Sequence, residues 1–154
     1  MSERKAHGVI KQEHLNRKND YLFRISMKSL VHNDEGHILV VKESGRDWWD
    51  LPGGGMDHEE SIKDAIAREL YEEVRFTGDF TYQVVQVEEP HFLEHSQVWQ
   101  VRMIFAVKPA NMSFELGEDA DEIIFINPED LKGSHDSVEQ KVYEYSQLAA
   151  KLQN

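Results

Sequence analysis

An α+β sandwich, with a mixed β-sheet flanked by two helices, is the fold class this sequence predicts, and three observations lead there. Residues 21–31 alternate with period two: Phe23, Ile25, Met27 and Val31 fall on one face, Arg24, Ser26 and Lys28 on the other. Residues 61–74 contain no Gly or Pro and open on Ser61 with Asp64 three residues later, a capping-box pattern that starts a helix. A second amphipathic run, Val138, Val142, Tyr145, Ala149 and Leu152, lies at helical spacing near the chain end. The 154 residues suit one domain with a proper core. We divide them into a polar, loosely ordered N-terminal segment, 1–20, and a single domain, 21–154.

Taken in order, the first strand, 21–31, meets the turn Asn33-Asp34-Glu35-Gly36, and 37–42 (HILVVK) returns as its hairpin partner. A loop, 43–47, leads to Trp48 and Trp49. Leu51-Pro52-Gly53-Gly54-Gly55 then reads as a tight turn, because glycines let the backbone bend and bring carbonyls close to a neighbour. In the helix that follows, Ala65, Ala67 and Leu70 favour helical backbone. Beyond it, 80–87 and the longer 97–107 read as strands, 109–121 as an acidic loop and 122–127 as a short strand. Asp136 or Ser137 caps the last helix, whose apolar stripe reads as core packing.

Charge and composition narrow the function classes. Lys+Arg 17 against Asp+Glu 29 leaves a net charge of -12. That argues against a nucleic-acid polymer or an anionic membrane as partner, since both demand basic patches. Cysteine is absent, so no disulfide framework exists and a reducing, cytoplasmic home is expected. The first twenty residues lack the apolar core of a signal peptide, and no run approaches the ~18 apolar residues of a membrane span. The glycine run is no P-loop, because no Gly-Lys-Ser/Thr follows it. His91 and His95 fall in a loop-like segment and read as surface histidines.

One constellation carries chemistry. The apolar face Ile62, Ala65, Ile66 continues, by steps of three and four, to positions 69 and 73, and both are glutamate, with Glu72 beside them. Like charges so close repel, and burial raises the cost unless a cation or protons neutralise them. Carboxylates facing the carbonyls of the glycine turn form the oxygen ligand set of a hard cation such as Mg2+.

Gly54, five residues, Glu60, seven residues, Arg68-Glu69-Leu70, one residue, Glu72-Glu73, one residue, Arg75-Phe76: this spacing resembles the Nudix box. The departure is Arg75, where the family has Gly. Either Arg75 takes a strained left-handed conformation, or the chain leaves the helix differently and Gly78 makes the turn. The resemblance implies a Nudix-type α/β/α sandwich with one catalytic helix and a C-terminal helix. It implies Mg-dependent hydrolysis of the diphosphate linkage in a nucleoside diphosphate joined to another group, with Mn2+ as the substitute ion. Glu72 and Glu73 would be direct ligands, Glu69 a ligand or the base, and the Gly53 carbonyl would complete the shell. Arg68 would hold the carboxylates, Glu60 would orient Arg68, and Gly54 is a structural position of the box. A further acid is expected from the loop holding Glu118, Asp119, Asp121 and Glu122, with Glu118 the choice. The expected partner is a small nucleoside triphosphate or ADP-ribose-like compound. Pro90 points weakly to the latter, and Phe92, Leu93 and Glu94 stand where dinucleoside-polyphosphate members have a Tyr. Arg24, Lys28, Arg102 and Trp49 are the candidate substrate contacts. The rival reading is a catalytically silent nucleotide sensor of the same fold. Monomer and homodimer are both open.

Overall fold

In the computed structural model, residues 8–11 and 19–152 are described. In chain order the elements are β1 (Val9–Lys11), β2 (Asn19–Tyr21), β3 (Phe23–Leu30), β4 (Ile38–Glu43), β5 (Gly53–Gly55), α1 (Ile62–Val74), β6 (Phe80–Val87), β7 (His91–Leu93), β8 (Val98–Pro109), β9 (Ala120–Ile126), a 3-10 turn at Pro128–Leu131, and α2 (Ser137–Leu152). The main sheet runs β5-β3-β8-β6, with β7 also on β8. Within it β3 and β8 are parallel and the other pairs antiparallel, so the sheet is mixed. Of the N-terminal segment expected to be loosely ordered, 1–7 and 12–18 lie outside the described residues, while β1 and β2 pair antiparallel.

The hairpin expected between the first two strands forms only at its tip. Asn33 N–H donates to the His37 carbonyl at 2.9 Å and Leu39 N–H to the Val31 carbonyl at 2.9 Å, and then the strands part. β4 pairs instead with β9, as a second sheet. The reason lies in its composition. Ile38, Leu39, Val40 and Val41 are all 0–1% exposed, so both faces of β4 need cover. Leu39 and Val41 pack with α1, Met27 and Phe105, whereas Ile38 and Val40 pack with Leu30, Ile104 and the α2 residues Val142, Tyr145 and Ala149. One strand thus feeds two cores, and each fully buried side chain contributes about 1.5–3 kcal/mol.

Other boundaries shift for similar reasons. The glycine turn becomes β5, because Gly53–Gly55 lies against Ser26–Lys28 in antiparallel register. The supposed loop around His91 contains β7, whose Phe92 sits opposite Trp99. The two later strands run Val98–Pro109 and Ala120–Ile126. Asp136 is the cap of α2, its Oδ1 accepting from Val138 N–H at 2.8 Å and Glu139 N–H at 3.0 Å. The stripe of α2 is buried from Val142 through Ala149, while Val138 is half-buried and Leu152 is 45% exposed.

Candidate active site

The polar face of β3 is buried beyond the exposed Arg24: Ser26 and Lys28 are each 4% exposed, and with Arg24 they floor an open cavity of about 760 Å³. Glu69 and Glu73 of α1, the glycines of β5, Gln100 and Arg102 of β8, and Asp119 line the rest. Local sequence builds the α1 wall. Ser61 Oγ accepts Asp64 N–H at 3.0 Å, which fixes the first turn and hence the rotation of every later side chain. Gly53 joins this wall to the floor. Its φ is 144°, and a Cβ there would lie 1.9 Å from the Met27 carbonyl oxygen, so only glycine is accommodated. Its N–H donates to Glu73 Oε1 at 3.1 Å.

Arg68 ties the outer carboxylates together. Its guanidinium donates twice to Glu60, Nε to Oε2 at 2.7 Å and Nη2 to Oε1 at 2.9 Å. It also reaches Glu69 Oε1 at 2.9 Å, Glu72 Oε2 at 3.4 Å and the Gly55 carbonyl at 2.9 Å. The bidentate pair with Arg68, helped by Asp57 N–H, holds the Glu60 carboxyl down at about 2. Burial pushes the Glu69 carboxyl up, against the pull of Arg68.

Lys28 makes a second, deeper knot. Its Nζ lies 3.1 Å from Glu43 Oε1, 3.1 Å from Asp50 Oδ2 and 3.2 Å from the Gly53 carbonyl. Burial works against its charge, but Asp50, Glu43 and Glu73 together outweigh burial and raise its pKa. Glu73, only 3% exposed, keeps Oε2 buried without a hydrogen-bond partner. Burial pushes its carboxyl up to about 9, although Lys28 and Gly53 N–H pull the other way. Glu43 and Asp50 are not among the site candidates that the sequence singles out. Asp50 directly precedes the Leu-Pro-Gly turn, which was the only available signal.

The remaining candidates separate. Arg24 donates from Nε to Gln100 Oε1 at 3.0 Å and lines the cavity. Arg102 lines it too, with its Nε buried and unpaired. Trp49 is away from it, packed against the α2 core with Lys42 Nζ 4.7 Å above its ring. Glu118 also points away: its side chain is 86% exposed and pairs with Arg75 Nη2 at 3.1 Å. The neighbouring Asp119 is the acid of that loop that lines the cavity. The loop is held because Glu115, Gly117 and Asp119 N–H groups donate to the carbonyls of Val74, Glu73 and Glu72, the unsatisfied end of α1. Arg75 closes α1 in the left-handed region, φ 51°, ψ 28°, and Phe76 N–H reaches back to the Leu70 carbonyl at 3.3 Å. Gly78 does not make the turn.

As the side chains stand, no group of three His, Cys, Asp or Glu among the described residues forms a ready metal cage. Arg68 and Lys28 hold the carboxylates instead. The donor chemistry nevertheless suits a hard cation. Glu73 carries an orphaned buried oxygen, and Glu69 brings a second carboxylate to the same cavity.

A family model described as the NUDIX domain matches residues 22–146. The RNA pyrophosphohydrolase of Psychrobacter sp. (strain PRwf-1) is 42% identical over 52 residues, 34% of this chain. The match spans only 30% of that relative's length. The MutT protein from Methanosarcina mazei Go1 superposes with a TM-score of 0.68 at 21% identity, covering 86% of this chain and 96% of that one. The NUDIX domain of Shewanella oneidensis NrtR, complexed with ADP ribose, superposes with a TM-score of 0.68 at 13% identity, covering 88% and 91%. At such identities these two structures speak for the fold alone.

Proposed function

The chain belongs to the NUDIX domain family, and from that premise we propose that it is a divalent-metal-dependent hydrolase of nucleoside diphosphate derivatives. One observation carries the proposal: a single cavity has the carboxylates Glu69 and Glu73 on one wall and the guanidinium groups of Arg24 and Arg102 on its floor. Such a cavity suits a molecule with a phosphate chain in the middle. Its volume, about 760 Å³, lies within the usual range for small-molecule sites.

Arg24 and Arg102 bind phosphate oxygens, the geometry guanidinium groups favour. Glu72 and Glu73 would hold Mg2+ together with the Gly53 carbonyl, Mn2+ being its substitute, and Glu69 would be a further ligand or the base. When bound, the ion supplies charge neutralisation of the phosphates and a water of lowered pKa. Arg68, itself gripped by Glu60, keeps Glu69 and Glu72 in place. In the reaction a water oxygen bonds to phosphorus as the bridging P–O bond breaks, and the leaving phosphate departs with the bridging oxygen. The water's proton passes to Glu69 where that carboxylate serves as the base, its carboxyl raised by burial. Asp119, across the cavity, is the second candidate for that proton. The substrate is a nucleoside triphosphate or an ADP-ribose-like compound. A putative 8-oxo-dGTP diphosphatase of Bacillus subtilis, 31% identical over 70 residues, supports the triphosphate side of that range. Absence of cysteine suits a reducing compartment, and we assign the reaction to the cytoplasm.

A hydrolysis screen with Mg2+ tests this, using ADP-ribose, nucleoside triphosphates, dinucleoside polyphosphates and nucleotide sugars, with Glu73→Gln beside the wild type. The expected outcome is cleavage of one class at its diphosphate and a loss of ~10²–10³-fold in the variant. If nothing is cleaved while a nucleotide still raises the melting temperature, the silent sensor replaces the hydrolase.

A further inference from the structure

We infer that Tyr145 and Glu88 are positioning residues, a pair that holds the Arg102 guanidinium facing the catalytic cavity and so ties α2 to the substrate. This rests on the phosphate contact proposed above for Arg102.

Strand register places the group. Arg102 of β8 has Ser26 of β3 as its partner on one side. On the other side Glu88 N–H donates to the Arg102 carbonyl at 2.9 Å. The Arg102 side chain stands on a ridge between two spaces. It lines the catalytic cavity and also a second one of about 560 Å³, which Glu88, His91 and Lys141 share. A guanidinium on a long stem can turn to either space, and its freedom must be restrained if it is to meet one phosphate.

The restraint comes from α2. Tyr145 is only 2% exposed, its ring packed with Leu30, Ile104 and Val142. The hydroxyl adds nothing to that packing and, so deep, needs a partner. A phenol has one proton to give, and Tyr145 gives it to Glu88 Oε1. Its oxygen is left to accept from the Arg102 guanidinium beside it. Glu88 is fixed in turn, its side chain 16% exposed and its Oε2 3.3 Å from Lys141 Nζ. Burial works against the charge of Arg102, but Asp50, Tyr145 and Glu88 outweigh it. Arg102 Nε remains buried without an acceptor in the protein, so the held guanidinium still has a donor to give.

The test is ADP binding in the presence of Mg2+, by calorimetry, on the wild type, Tyr145→Phe, Glu88→Gln, Arg102→Met and the double variant of Tyr145→Phe with Arg102→Met. Arg102→Met is expected to weaken ADP by ~10–100-fold, the range for hydrogen bonds to charged groups, and Tyr145→Phe and Glu88→Gln by ~3–10-fold each. In the Arg102→Met background Tyr145→Phe should cost no further affinity, because its effect travels through Arg102. An equal effect of Tyr145→Phe in both backgrounds would overturn the inference. So would a lowered melting temperature with ADP affinity unchanged, which assigns the hydroxyl to the core alone. A spectroscopic signature needs no ligand. In ¹⁵N-labelled protein the buried Arg102 Nε–H should exchange with water faster in Tyr145→Phe than in the wild type, and equal rates would count against the clamp. If ADP binds and the two residues are coupled while no compound is cleaved, the hydrolase falls and the clamp stands. If the wild type binds no ADP, the phosphate role of Arg102 falls and the clamp with it.

Discussion

Arg68 and Lys28 each hold carboxylates around the same end of α1, yet the Arg68 side chain is 28% exposed and that of Lys28 5%. Arg68 belongs to the helix it organises, and its main partners lie at one, four and eight residues' distance in sequence. Lys28 comes from β3 and gathers residues fifteen or more positions away, at the end of β4, on the loop after it and on β5. Exposure sets the consequence. Water can replace part of the Arg68 knot, so its contacts can be exchanged as a ligand arrives. The Lys28 knot has no such substitute, so it behaves as scaffold.

Replacing the deeper cation should have the largest effect. Lys28→Met, with chelator present, leaves Asp50 and Glu43 without their counter-charge. We expect a loss of ~3–5 kcal/mol in urea unfolding, the usual result of removing one partner of a buried pair. A loss below about 1 kcal/mol would place Lys28 with Arg68 on the exchangeable side. Glu73 tests the same region by pH. Its folded pKa of about 9 lies above the ordinary 4.5, so the folded chain binds the proton more tightly than the unfolded chain. Metal-free protein should therefore lose stability as pH rises from ~4.5 to ~9. In Glu73→Gln this component of the slope should vanish; an identical slope in both proteins would count against burial as the force that sets the Glu73 carboxyl.

Changes at the outer knot should act on turnover more than on folding. Arg68→Lys keeps the charge but forfeits the double contact with Glu60, and we expect a ~10–100-fold drop in metal affinity or rate. The melting temperature should move little. The smallest effect is expected where α1 ends. Arg75 occupies the left-handed region at φ 51°, where glycine carries no penalty, and its exposed pair with Glu118 contributes little. Arg75→Gly should stabilise by up to ~1 kcal/mol and leave activity unchanged. Destabilisation would mean that its contacts with Tyr71 and Glu118 count for more than the backbone strain.

The difference between the knots also governs what could be read in advance. Glu60, Arg68, Glu69, Glu72 and Glu73 were legible because a helix of known start puts residues at fixed steps on one edge, and Ser61 marks that start. Arg24, Lys28 and Arg102 were legible as one polar face each, but not as the floor of one cavity. That depended on β3 and β8 running parallel, which sets Arg24 opposite Gln100 and Ser26 opposite Arg102. Glu118 and Asp119 are adjacent acids in a loop without period, so only the bonds of that loop to the end of α1 decide which one faces the cavity. The hairpin expected from the first turn failed because burial on both faces of β4 outweighed local turn chemistry.

By itself the sequence determined the α+β class, the helix from Ser61 to Val74 with its edge of carboxylates, the capped C-terminal helix and the anionic balance of -12, since caps, periods and charge are local or additive. Tertiary structure alone decided that β4 leaves β3 for β9, that Asp119 rather than Glu118 enters the cavity, and that Lys28 meets Glu43, Asp50 and Gly53. Those outcomes turn on register and on burial between segments far apart in the chain, where desolvation makes each charge depend on partners that no local pattern names.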